Sequence, residues 1–360
     1  MTYSDMQRFK DALKGTPKDR VPIFPLIGGW AATNFSDFSP LEVASDPQLM
    51  VNAQIKAKES MGYDAVFSYV HPLYIPEAFG CEIRFLESGP LVDPLPLEIT
   101  CEKDVDNVPQ PDAKREATLP IILEATQGLS EYGNGEIPVV GLFEGPFTTT
   151  CRVIETELIM RMIYKKKPVL EQLMDKITGF LLDFGKALIE SGANVILIPE
   201  PTASASMISP PMFRDIVLPR LQKLVNELKV PCILHICGDT TSLLESMAQT
   251  GASVLSLDQC MDLAEARTVI PKAVLGGNVD PVNSLFMGTT EQVEADTLKS
   301  LSKGGRSRFI LMSGCGVPPK TAVENIEAMV LTATKQILRK IRQGKHLPFT
   351  AVNYAGHIIL

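Results

Sequence analysis

Chemistry in this 360-residue chain gathers at one histidine and two cysteines. His235 and Cys237 form an i, i+2 pair, and on an extended strand such side chains leave the same face, so imidazole and thiol converge. Gly238 then ends the run, and Asp239 can cap a following helix. Far downstream, Cys315 stands between Gly314 and Gly316, where a glycine-flanked strand end can aim a thiol into a common opening. One nitrogen and two sulfurs make a zinc ligand set, and catalytic zinc keeps a fourth position for water or substrate. Two thiolates and a neutral imidazole cancel the charge of the ion, so a substrate thiol can enter that position as thiolate. An H-x-C pair alone also suits a core histidine beside a buried cysteine. Cys315 turns the reading toward a thiol-activating site, and the chain has none of the C-x2-C pairs that structural zinc sites use.

Carboxylates end several neighbouring apolar runs: Glu144, Glu200, Asp258 and Asp280. Each is a candidate fourth ligand or a partner that orients His235. Asp258, Glu144 and Glu200 are taken as candidate catalytic residues. His71 also ends a run, where it can face the opening or simply pack. Cys81, Cys101, Cys151, Cys232 and Cys260 read as core or incidental thiols.

The elements that position these groups alternate between short apolar runs and helical segments, the pattern of parallel βα units. Eight runs are visible, at residues 21–28, 64–70, 138–145, 194–200, 232–239, 253–259, 273–280 and 309–316. That count predicts an α/β fold, a (β/α)8 TIM barrel, whose active site lies at the C-terminal strand ends. Helices are expected near 207–228 and 321–341, with an amphipathic helix over residues 1–14. Prolines 90, 94, 96, 109 and 111 make residues 86–136 a long excursion between the second and third strands, a lid or rim for the barrel mouth. One barrel domain over residues 1–345 is expected, with a C-terminal tail at 346–360 left without assignment.

A formal charge of −8, from 34 basic and 42 acidic residues, argues against nucleic acid as a partner. No apolar stretch approaches the ~20 residues that span a bilayer, so no membrane association is expected. The first helix lacks a secretory apolar core, and seven scattered cysteines make no disulfide framework, so a cytoplasmic location is expected. The Gly-Lys pair of residues 179–186 has the wrong spacing for a Walker loop, and Gly276-Gly277-Asn278 is no dinucleotide fingerprint, so neither ATP nor NAD is supported.

The segments Leu234-His-Ile-Cys-Gly-Asp239, Gly277-Asn-Val-Asp-Pro281 and Gly314-Cys-Gly-Val-Pro-Pro319 resemble the uroporphyrinogen decarboxylase superfamily, in particular its zinc-dependent methylcobamide:coenzyme M methyltransferases. The likeness runs from about Arg20 to Leu338 and includes the helix start at Ser209 to Phe213. It implies a (β/α)8 fold, zinc on His235, Cys237 and Cys315, and methyl transfer between a methylcorrinoid and a small thiol such as coenzyme M. A separate corrinoid protein is the implied partner. Cobalamin-independent methionine synthases are similar too, with an acidic zinc ligand whose nearest counterpart here is Asp258.

The decarboxylases themselves fit less well. Their Arg-Gln-Ala-Gly-Arg segment is replaced by Leu26-Ile-Gly-Gly-Trp-Ala31, their aspartate after strand two is missing from Ser68-Tyr-Val-His-Pro72, and the histidine of their last Gly-His-Gly is Cys315. Another branch, the zinc-dependent O-demethylases that move a methyl group from an aryl ether to a corrinoid protein, implies two acids and a histidine. Glu200, Asp215 and His235 approach that set, with a spacing one residue short and Asp in place of Glu.

Overall fold

The apolar runs fold as parallel strands because most of their side chains must be buried on both faces of a sheet covered by helices. The structure, a computed structural model, describes residues 3–86 and 89–342; the tail at 346–360 lies outside the described residues. Among the described residues nine strands occur: β1 (Val66–Phe67), β2 (Glu82–Leu86), β3 (Gly89–Asp93), β4 (Val139–Leu142), β5 (Val195–Pro199), β6 (Cys232–Ile236), β7 (Val254–Leu257), β8 (Leu275–Val279) and β9 (Phe309–Ser313). Seven of them form one sheet in the order β1-β4-β5-β6-β7-β8-β9, every pairing parallel.

An eighth extended segment closes the curled sheet. Ile23 bridges Leu311 in parallel, the Phe24 N–H donates to the Leu311 carbonyl at 2.8 Å, and Leu311 donates to Pro22 at 2.9 Å. On the other edge the Asp64 N–H donates to the Ile23 carbonyl at 2.9 Å. The architecture is therefore TIM-barrel-like, as the count of eight runs implied. The first run yields a single bridge where a full strand was expected, because Pro22 and Pro25 carry no N–H for a ladder. Its far end folds into a helix, Gly28–Asn34.

The excursion at 86–136 is more ordered than its prolines suggest. β2 and β3 pair antiparallel, Glu82 opposite Asp93, and in a hairpin made only of edge strands a proline such as Pro90 is tolerated. A 3-10 turn (Glu102–Asn107) and a helix (Leu119–Gly133) follow. The Leu95 N–H donates to the Val153 carbonyl at 2.9 Å, which ties the excursion to the helix Pro146–Val153. The helix expected over 207–228 is broken into Pro210–Met212, a π-helical stretch Phe213–Val217, and Leu218–Leu228. Pro219, which lacks an N–H, sits at the junction and removes one i→i−4 bond. The last helix runs Val323–Arg342.

At the N-terminal end of the barrel the helix Asp5–Lys14 is held by charge. Asp64, 0% exposed, accepts from Arg8 at 2.8 Å, from Arg20 at 2.6 Å and from the Ile23 N–H at 2.7 Å. Lys58 reaches Asp5 at 2.6 Å from the neighbouring helix Pro47–Met61. Among the described residues no helix is long and apolar enough to cross a membrane.

Candidate metal centre

β6 carries His235 near its C-terminal end, buried, and Cys237 follows one residue beyond the strand. Cys315 arrives two residues beyond β9. The ligating atoms of the three residues all lie within 4.8 Å of one another, the one such group of three among the described residues. His235 Nε2 is 3.2 Å from Cys237 Sγ, which is 3.4 Å from Cys315 Sγ. Two glycines make the approach possible. Gly238, at φ +79, turns the chain back after Cys237, and Gly314 packs so closely on Gln259 that a Cβ there would lie 2.6 Å from its backbone nitrogen.

The imidazole is fixed from behind by the adjacent strand. Ser256 faces His235 across the β6–β7 ladder, its Oγ 3.1 Å and its carbonyl oxygen 3.3 Å from Nδ1. Sequence reading missed Ser256, although it forms an i, i+2 pair with Asp258, one residue past the end of β7. The hydrogen bond between the two thiols pulls Cys315 down to about 4, and the same contact, with burial, pushes Cys237 up. Two sulfurs and an imidazole nitrogen make a set of soft donors that fits zinc.

The carboxylates occupy the same rim in distinct ways. Asp258 accepts the Gly238 N–H at 2.9 Å and the Cys260 N–H at 3.0 Å, so it holds the turn that follows Cys237. Glu144, 2% exposed, takes Arg152 through Nε at 2.5 Å and Nη2 at 2.8 Å; burial raises its pKa against the opposing pull of Arg152. Glu200, 0% exposed, accepts the Phe147 and Thr148 N–H groups at 3.2 and 2.5 Å, at the start of the helix Pro146–Val153. Burial lifts it to about 7, with Thr148 and Phe147 pulling the other way.

Asp280 caps a short π-helix through Val282 and Asn283 at 2.9 and 2.8 Å. Asp215 is exposed and lies 3.8 Å from Lys167, so Glu200, Asp215 and His235 are not brought together as a ligand set. His71 accepts the Leu73 N–H on Nδ1 at 3.2 Å and meets Phe85 of β2 edge-on, with burial pushing its pKa to about 4. Tyr69, also unremarked in the sequence, lies against Gly28 and close enough to Cys315 that the thiolate adds to the burial raising its phenol.

Fold and site together define a parallel α/β barrel enzyme with a nitrogen–sulfur cluster at its C-terminal strand ends. The chain matches the model described as uroporphyrinogen decarboxylase (URO-D) over residues 4–336 and belongs to that family. It is 32% identical over 330 residues to the methylcobamide:CoM methyltransferase MtaA of Methanosarcina barkeri, covering 90% of this chain and 95% of that protein. It is likewise 32% identical over 337 residues to MtbA of Methanosarcina mazei, also named a methylcobamide:CoM methyltransferase, covering 91% and 97%. A solved structure described as a methyltransferase from Methanosarcina mazei superposes with a TM-score of 0.83 at 29% identity, over 93% of this chain and 99% of that one. Within the family the chain is an enzyme of the methyltransferase kind.

Proposed function

We propose that this enzyme is a zinc-dependent corrinoid methyltransferase, moving a methyl group between a methylcorrinoid presented by a separate corrinoid protein and a small thiol such as coenzyme M. The observation that carries the reading is the convergence of His235 Nε2, Cys237 Sγ and Cys315 Sγ within 4.8 Å at the barrel mouth. His235, Cys237 and Cys315 would hold the zinc, which would supply the acidity that a thiol of free pKa about 8.5 needs to be present as thiolate at neutral pH. Ser256 holds the imidazole in place, and Asp258 fixes the turn that presents Cys237. The names of the methanosarcinal relatives support the corrinoid and the thiol as substrates.

Two further observations weigh against other chemistries. Where the decarboxylases carry arginines, residues 28–34 form a helix whose Trp30 is 0% exposed and donates to the Thr321 carbonyl at 2.8 Å, so no cationic clamp for a polycarboxylate stands there. The exposed position of Asp215 weighs against the O-demethylase ligand set.

X-ray absorption at the zinc edge tests the proposal. Two sulfurs are expected in the resting protein and a third, at about 2.3 Å, when a productive thiol is added. Methylcobalamin and a panel of thiols should support turnover. Unchanged coordination with thiols, together with methylation of cob(I)alamin by aryl methyl ethers, would transfer the assignment to the O-demethylases.

A further inference from the structure

The segment Gly277-Asn-Val-Asp-Pro281 carries part of the family likeness, yet none of its residues belongs to the group of metal donors. Asp280 is occupied as a helix cap. Asn278, the last but one residue of β8, is buried, and its side chain reaches the turn that follows β7. Nδ2 donates to the Asp258 carbonyl at 2.9 Å and to the Met261 carbonyl at 2.8 Å. Both hydrogens of the amide are thereby given to the first and last residues of one turn, which the Met261 N–H already closes onto the Asp258 carbonyl at 3.0 Å. The amide can sit only this way round, because the flipped form would set Oδ1 against two carbonyl oxygens. Opening the turn would leave a buried amide unpartnered, which is costly.

The pinned turn touches the supports of both thiols. Asp258 Oδ2 accepts the N–H of Gly238, next to Cys237, at 2.9 Å. Met261 Sδ accepts the Thr240 N–H at 3.2 Å and lies 3.8 Å from the Thr241 hydroxyl, so the chain leaving Cys237 is held at a second point. Met261 and Thr240 are both buried, which keeps water from competing for these bonds. On the other side Gln259 backs Gly314, the residue before Cys315, so closely that a Cβ there would meet the Gln259 backbone nitrogen at 2.6 Å. We infer that Asn278 is a positioning residue of the metal centre: by pinning residues 258–261 it sets the approach of Cys237 and Cys315 through Asp258, Met261 and Gln259. The inference rests on the metal reading above and adds the group, two contacts away from the sulfurs, that holds their spacing.

The test reads metal affinity and ligand geometry rather than turnover. Zinc affinity, measured by competition with a chromogenic chelator, should fall about 10-fold in Asn278→Ala, the lower end of what groups behind a metal's ligands contribute. In the cobalt(II)-substituted variant the thiolate-to-cobalt absorption and the visible bands of tetrahedral cobalt should shift or weaken. Met261→Leu keeps the volume and removes the sulfur to which Thr240 donates, so it should move both readouts the same way by less. Asp64→Asn, at the opposite end of the barrel, is the control for lost stability: it should lower the thermal midpoint and leave affinity and spectrum as in wild type. Wild-type affinity or a wild-type cobalt spectrum in folded Asn278→Ala overturns the inference, and so does an equal loss of affinity in Asp64→Asn. Should Asn278→Ala not fold, Met261→Leu decides by the same two readouts. Wild-type protein that holds neither zinc nor cobalt through thiolates overturns the metal reading itself, a result distinct from the others.

Discussion

Ser256 stands opposite His235 on the adjoining strand and presents both its hydroxyl, at 3.1 Å, and its carbonyl oxygen, at 3.3 Å, to the imidazole Nδ1. In the tautomer whose Nδ1–H donates to that strand, the lone pair of Nε2 faces the two thiols. Backing of this kind commonly contributes about 10 to 100-fold in metal affinity. Ser256→Ala keeps the carbonyl, so the expected loss is at the lower end, about 10-fold in a zinc competition with a chromogenic chelator. Wild-type affinity in this variant would assign the orientation of the ring to the carbonyl alone.

The convergence of Cys237 and Cys315 predicts metal content directly. Protein purified without chelator should carry about one zinc per chain by elemental analysis. Cys237→Ala and Cys315→Ala should each lose most of it, while the exposed Cys260 can be replaced by Ala without loss. Full retention of zinc by both of the first two variants would end the ligand assignment.

The thiol–imidazole pair was legible because it needs only the two-residue period of a strand, and the barrel because its eight apolar runs are separated by helices. What escaped depended on contacts between distant segments. Pro22 and Pro25 shorten the first strand to the bridge at Ile23, an effect set by missing N–H groups rather than by hydropathy. The β2–β3 hairpin carries Pro90 in a segment that reads as irregular, and only its pairing register reveals a ladder. Arg152 pairs with Glu144 because the helix Pro146–Val153 turns the chain back over the strand end, which no local pattern announces. Asp215 approached a ligand pattern one residue out of spacing, and the helical stretch that carries it leaves it exposed beside Lys167.

Asp258 offers a test of how the turn after Cys237 is held. Its two oxygens receive the N–H groups of Gly238 and Cys260, so Asp258→Ala frees a turn that includes a ligand's neighbour. Zinc affinity or methyl-transfer rate should fall about 10 to 100-fold, and Asp258→Asn, which keeps one acceptor oxygen, should lose less. Glu144→Ala is expected to act on the rate in the same range. Unchanged affinity and rate in both Ala variants would reduce Asp258 to a brace of its turn and Glu144 to the ion-pair partner of Arg152.

Asp64 makes a prediction about stability that is separable from the metal. It lies at the N-terminal end of the barrel, 0% exposed, between Arg8 and Arg20, and accepts the Ile23 N–H of the closing segment at 2.7 Å. Burial by itself would raise its pKa, but Arg20 and Arg8 outweigh burial and hold it below the usual carboxylate range. The native state therefore binds fewer protons at this site than the unfolded chain. Its contribution is fully present above the ordinary aspartate value of 3.8 and is lost as pH falls toward the depressed native value. Asp64→Asn removes the counter-charge while leaving two guanidiniums buried, a change that costs about 3–5 kcal/mol when a buried pair is broken. Arg8 retains Asp5 and Asp19, at 2.8 and 2.7 Å, which favours the lower end of that range. Urea unfolding at about pH 7 should show the loss in midpoint at constant slope, and the gap between variant and wild type should narrow toward about pH 3. Zinc content should stay at the wild-type level in the folded variant. Equal midpoints at neutral pH, or a gap that does not narrow in acid, would mean that Asp64 closes the barrel through its hydrogen bond to Ile23 and not through its charge.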